Sequence, residues 1–126
     1  MLTNVSRARP VAGATDWARC DAIARDHGRT FYLASRFLPP ARRRGALATY
    51  AFCRIADDIV DTAPGRDSAA SAEALARWST EIDAPVHPVA VAFAESRARF
   101  GIPAQPVRDL LTGISLDLTT ARYATW

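Results

Sequence analysis

The chain has 126 residues, 49% hydrophobic and 23% charged, which fits one folded domain with a modest core and excludes an intrinsically disordered chain. Its formal net charge is +3 and all 16 basic residues are Arg, scattered apart from Arg42-Arg43-Arg44 and without interleaved aromatics, so nucleic acid is excluded as a partner. No apolar run nears the roughly 18 residues of a membrane span, no secretory h-region opens the chain, and Cys20 and Cys53 lack metal-type spacing; a cytoplasmic location is expected.

Residues 1–14 are polar, contain Arg, Pro and Gly, and read as a flexible arm. Thr15 or Asp16 can N-cap a helix running to about His27, with Gly28 as its C-cap. Residues 29–38 form a short amphipathic piece ended by Pro39-Pro40. The longest helix is expected over 41–62, with Ala48, Phe52, Ile55 and Ile59 at helical spacing, Leu47 and Ala51 widening the stripe, and Pro64-Gly65 as the stop. Asp67 or Ser68 can cap a helix to about Ile82, with Leu75 and Trp78 inward. Pro85 and Pro88 bracket a turn before a helix over 89–100, closed by Gly101 and Pro103. The last helix spans 105–122, with Val107, Leu110, Leu111, Ile114 and Leu118 as its buried stripe. Strand alternation is missing, so the fold class is all-α, antiparallel helices joined by short loops.

Asp57, Asp58 and Asp61 crowd the end of the longest helix, where the macrodipole favours cations and each acid costs about 0.3–1 kcal/mol. Tyr50, Arg54, Asp57 and Asp61 follow one another at four, three and four residues and share one narrow stripe. Carboxylates at i and i+4 lie roughly 6 Å apart at Cβ, close enough to hold Mg²⁺ directly or through its waters. Arg54, one turn earlier, can clamp a phosphate bidentately, and Tyr50 can add a hydrogen bond. Asp58 points about 100° away and can pair with Arg54 or join a second ion. The competing reading is a solvated Arg–Asp ion pair worth only about 0.3–0.5 kcal/mol. The unfavourable helix end and the core-like neighbours Ala51, Phe52, Ile55, Ile59 and Val60 favour a cation site facing an interior cavity.

The run Gly28-Arg29-Thr30-Phe31-Tyr32, then Arg36-Phe37-Leu38-Pro39-Pro40, Arg42-Arg43, and Tyr50-Ala51-Phe52-Cys53-Arg54-Ile55-Ala56-Asp57-Asp58-Ile59-Val60-Asp61 resembles the squalene/phytoene synthases, and within them the bacterial phytoene synthases. Phe100-Gly101-Ile102-Pro103, Asp109-Leu110-Leu111, Gly113, Asp117-Leu118 and Arg122-Tyr123 agree with it. The resemblance implies the all-α isoprenoid (terpenoid) synthase fold, with residues 15–126 as the N-terminal portion of its catalytic domain. It implies Mg²⁺-dependent condensation (Mn²⁺ as the alternative metal) of two prenyl diphosphates head-to-head through a cyclopropyl diphosphate. With geranylgeranyl diphosphate the product is phytoene, in carotenoid biosynthesis.

Carried over residue by residue, Asp57 and Asp61 hold the metal and Arg54 binds the diphosphate, the three forming the catalytic set. Tyr50 lines the site. Arg29 and Thr30 match a Ser-Lys/Arg-Ser/Thr-Phe motif that caps the diphosphate pocket. Gly28 departs from it, standing where Ser is usual. Asp117 and Arg122 match a helix near the cavity and complete the expected substrate-binding residues. Phe31, Phe37 and Phe52 are candidate apolar walls, with plain core as the other reading.

The resemblance also implies a second aspartate motif facing the first, yet Asp67, Asp83, Asp109 and Asp117 make no such pair. The chain is therefore expected to cover under half of the domain and to be inactive alone. Two other readings stand beside this one: a squalene or dehydrosqualene synthase using farnesyl diphosphate, and a non-catalytic helical assembly module or gene remnant. The intact Asp57/Asp61 pair argues against the last. Greasy substrates and products imply peripheral membrane contact, though the sequence shows no anchor.

Overall fold

A computed structural model describes residues 11–61 and 68–124, with side chains for 11–60 and 69–116. The first ten residues, Pro64-Gly65, Asp67 and Trp126 lie outside the described residues. Among the described residues every regular element is a helix: α1 (Ala14–His27), α2 (Arg29–Ser35), α3 (Pro40–Asp61), α4 (Ser68–Thr80), α5 (Pro88–Phe100) and α6 (Gln105–Ala124).

The helix ends show which local signals win. The first helix begins at Gly13 rather than at a Thr15 or Asp16 cap, because Asp16 folds back to accept the Gly13 N–H at 2.9 Å. α2 stops at Ser35, short of the expected Leu38. Ser35 Oγ donates to the Tyr32 carbonyl at 2.6 Å, and the N–H groups of Arg36 and Phe37 tighten to i→i+3 bonds. α4 ends at Thr80 instead of about Ile82, with Thr80 Oγ1 donating to the Arg77 carbonyl, although Ile82 is still buried. Before α5, the Glu81 carboxylate accepts the N–H groups of Val86 and His87 at 2.7 and 2.9 Å. His87 then caps the helix, its Nδ1 accepting the Val89 N–H at 3.1 Å, with Pro88 at the first helical position. Gly101 closes α5 in the left-handed region at φ 66°, which glycine adopts without a Cβ penalty.

α3 is the central helix and packs against all the others. Its stripe of Leu47, Ala48, Ala51, Phe52 and Ala56 is buried, with Ile55 and Ile59 partly so. Phe52 is fully buried, its ring stacked between Trp78 at 4.7 Å and Phe93 at 4.6 Å. Trp78 also donates its indole N–H to the Phe52 carbonyl at 3.2 Å, so α4 is tied to α3 by packing and by a hydrogen bond. Small residues let α5 come close: Ala90, Ala92 and Ala94 are buried, and a Cβ at Gly45 would touch the Phe100 ring at 3.0 Å. Leu111, Val107 and Ile114 hold α6 to the core, but Leu110 is exposed, one position off the stripe. Ahead of α1, Ala12 packs against the core and donates its N–H to Glu95 at 2.8 Å.

Candidate functional site

Two stretches far apart in sequence meet at Tyr50. α2 crosses α3 so that the rings of Phe31 and Tyr50 stack, centroids 5.1 Å apart and planes 19° apart. Gly28, at the α1–α2 junction, lies against the same phenol. Arg29 and Thr30 are exposed on the first turn of α2. The run at 28–31 and the stripe on α3 therefore share one wall.

That wall lines an apolar groove of about 550 Å³ between α2, α3 and the end of α5, formed by Phe31, Ala46, Tyr50, Cys53, Phe100 and Ile102. Arg42 is its one charged lining residue. Along α3, Ala46, Tyr50, Cys53 and Asp57 succeed one another at four, three and four residues, so the row whose first three members line the groove continues to Asp57. Phe100 and Ile102 carried no assigned role in the sequence. Both sit in the Phe-Gly-Ile-Pro run that closes α5, and their exposure beside Gly101 brings them to the groove.

At the end of this row, Asp57 is exposed and has no ion-pair partner among the described residues. The expectation of an enclosed cavity is not met around it: the described helices supply one wall, and the carboxylate stands at its rim. Asp58 takes the other option open to it, with Oδ1 3.0 Å from Arg54 Nε. This contact is an ion pair misaligned for a hydrogen bond, so the buried Arg54 Nε has no hydrogen-bond partner among the described residues. A buried guanidinium N–H with unmet hydrogen-bonding capacity suits an incoming anion. Cys53, one turn before Asp57, has its thiol pKa raised, first by burial and then by the Asp57 charge.

The donors at this end of α3 are hard oxygens. A carboxylate with no ion-pair partner among the described residues suits a hard divalent cation, which takes one or two carboxylates and fills its other positions with water and phosphate oxygen, and a nearby guanidinium suits that phosphate. Among the described residues, no group of three or more His, Cys, Asp and Glu converges. Asp61 lies on α3 one turn beyond Asp57, and Asp117 and Arg122 lie on α6, which packs against α3 and α4. The side chains of these three are outside the described residues.

Of the three phenylalanines expected as walls, the structure separates all of them. Phe31 lines the groove, Phe52 is plain core, and Phe37 is neither, since the turn after α2 points it into solvent.

The family model "Squalene/phytoene synthase" matches residues 24–126. Phytoene synthase of Arthrospira platensis is 31% identical over 93% of this chain and 39% of its own length. Phytoene synthase 3 of Zea mays is 36% identical over 83% of this chain and 25% of its own, and 15-cis-phytoene synthase of Synechocystis is 31% identical over 94% and 36%. The chain thus spans between a quarter and two fifths of the length of these relatives. No solved structure matches it. With the all-helical fold, the 28–31 run meeting the α3 stripe at Tyr50, and these likenesses, the chain belongs to the squalene/phytoene synthase family, with its isoprenoid-synthase fold.

Proposed function

We propose that the whole protein condenses two geranylgeranyl diphosphates head-to-head to phytoene, as a Mg²⁺-dependent prenyltransferase of carotenoid biosynthesis. The observation that carries this reading is an apolar groove with a carboxylate that has no ion-pair partner among the described residues one turn beyond it on α3. A prenyl chain needs the first and its diphosphate needs the second, through a cation. The α3 row that lines the groove through Ala46, Tyr50 and Cys53 reaches Asp57 one turn further on.

Asp57 and Asp61 hold the metal, which when bound offsets the diphosphate charge and stabilises pyrophosphate as it leaves. Arg54 contributes its guanidinium to the same anion. Arg29 and Thr30, on the exposed start of α2, close over the diphosphate, and Asp117 and Arg122, in the α6 segment, belong to the same proposed substrate-binding set. Tyr50 and Phe31 present aromatic faces to the allylic cation formed on ionisation and keep water from it. Among the described residues no helix is long and apolar enough to cross a membrane; the membrane contact that belongs to this proposal, argued from the apolar substrates and product, is a peripheral one.

The test is an assay of the whole protein with Mg²⁺ and either geranylgeranyl or farnesyl diphosphate. Phytoene from the first supports the reading. A C30 product from the second alone would reassign the protein to squalene or dehydrosqualene synthesis. No pyrophosphate release from either would favour a non-catalytic helical module.

A further inference from the structure

The turn between α2 and α3 carries exposed apolar side chains beside a basic cavity. Phe37 is 92% exposed, Leu33 55% and Leu38 40%. Leu33 and Phe37 are four residues apart, and the i→i+3 bonds of Arg36 and Phe37 carry the helical turn past Ser35, so one face presents both. Beside them α1, α2 and α3 line an open cavity of about 780 Å³, to which Leu38 contributes. Arg25, Arg36, Arg43 and Arg44 line it, and Asp21 is its only acid.

Aromatic faces hold three of the cations in place, while Arg25 pairs with Asp21 and with Asp26 at 3.6 Å. Arg43 and Arg36 lie over the Tyr32 ring at 5.0 and 5.9 Å, and Arg44 over Trp17 at 5.4 Å. Ser35 Oγ, at 3.2 Å, fixes Arg43. Asp21 is shared among the Tyr32 hydroxyl at 3.1 Å, Arg25 at 3.9 Å and Arg43 at 4.0 Å. Arg36 and Arg44 have no carboxylate in ion-pair range among the described residues.

Clustered guanidiniums recognise phosphate groups, and guanidinium is the side chain best shaped for them. Phosphate alone gives no reason for a phenyl ring and a leucine in water beside them. A surface that is apolar at its tip and anionic at its base of contact accounts for both, and an acidic bilayer is such a surface. We propose that the α2–α3 turn docks on an anionic lipid bilayer: Phe37 and Leu33 enter the acyl boundary while Arg36, Arg43 and Arg44 take lipid phosphates. This deepens the peripheral-contact reading above and depends on it only for the choice of occupant. Phe31, on the same short helix, lines the apolar groove, so docking holds the rim of that groove near the phase in which prenyl chains partition.

The experiment is co-flotation of the whole protein with phosphatidylcholine vesicles, with and without phosphatidylglycerol. Binding is expected only with phosphatidylglycerol and is expected to fall with added salt. Phe37→Ser should weaken it at least about tenfold, the worth of one aromatic side chain removed from water. Arg36→Gln should weaken it roughly fivefold, as for one basic residue at an anionic surface. Both side chains are exposed, so unchanged circular dichroism is expected for each variant. No binding to the anionic vesicles overturns the proposal, as does binding that neither variant alters. Inorganic pyrophosphate bound at this cavity, lost in Arg36→Gln but kept in Phe37→Ser, with vesicle binding unaffected by Phe37, also overturns it. None of these results bears on turnover of detergent-dispersed prenyl diphosphate, which tests the catalytic reading separately.

Discussion

Gly28 and Tyr50 compete for one space: a Cβ on residue 28 would lie 2.6 Å from both Cζ and Oη of Tyr50. The backbone at Gly28, φ −132° and ψ 62°, does not itself demand glycine, so the requirement is steric. Gly28→Ala is expected to push the phenol off Phe31 and to cost about 1–3 kcal/mol, as overpacking does. In a double-mutant cycle with Tyr50→Ala, read by denaturant midpoints, the second substitution should recover most of that loss. Additive costs would mean that the two residues do not share the space.

Phe52 should be the most sensitive core position tested. Its ring is stacked on both sides and fully buried, so Phe52→Ala is expected to cost about 3–5 kcal/mol. Trp78→Phe keeps most of the packing but loses the indole hydrogen bond to the Phe52 carbonyl, and should cost about 0.5–1.5 kcal/mol. Chemical denaturation of both variants orders them.

His87 makes α5 sensitive to acid. Its pKa is lowered below the ordinary 6.5, first by burial and then by the Arg19 charge. The folded state thus prefers the neutral ring, whose Nδ1 accepts the Val89 N–H. The unfolded chain binds the proton more readily, so this contribution is present above 6.5 and is lost as the pH falls through 6.5 and the lower folded value. His87→Asn keeps a capping acceptor without titrating, and should flatten the dependence of melting temperature on pH across that range. An unchanged slope would remove His87 as its source.

Cys20 should be chemically silent. It is fully buried, and burial, helped by the Asp16 charge, pushes its thiol up to about 12. Alkylation at neutral pH should therefore proceed at Cys20 only as fast as the chain unfolds, which mass spectrometry of the labelled sites against denaturant would show.

The long helix was legible because its buried stripe has an unbroken period: Ala48, Phe52 and their neighbours define α3 to within one residue at each end. Breakers at Gly101 and Pro103 placed the end of α5 equally well. The starts were less legible. Gly13 opens α1 through the side chain of Asp16, and His87 caps α5 through a ring nitrogen, neither of which has a strong sequence signature. Leu110 fits a helical stripe on paper but is exposed, because only the narrow face through Leu111 meets the core. The Tyr50–Arg54–Asp57 row could be read from spacing alone. The groove could not, since Phe31, Phe100 and Ile102 come from three segments that only the crossing of α2, α3 and α5 brings together. The basic cavity escaped for the same reason: Arg42-Arg43-Arg44 reads as an isolated run until Tyr32 and Trp17 are seen beneath its guanidiniums.

The most direct test of the account is the Mg²⁺-dependent turnover of geranylgeranyl diphosphate by the whole protein and by its Asp57→Asn variant. Asp57 is exposed and has no ion-pair partner among the described residues, so the variant should fold with an unchanged circular dichroism spectrum. Its turnover should fall on the order of 10²-fold or more, as when one element of electrostatic stabilisation is removed. A folded Asp57→Asn protein that makes phytoene at the wild-type rate would contradict the assignment of this end of α3 as the metal-diphosphate site.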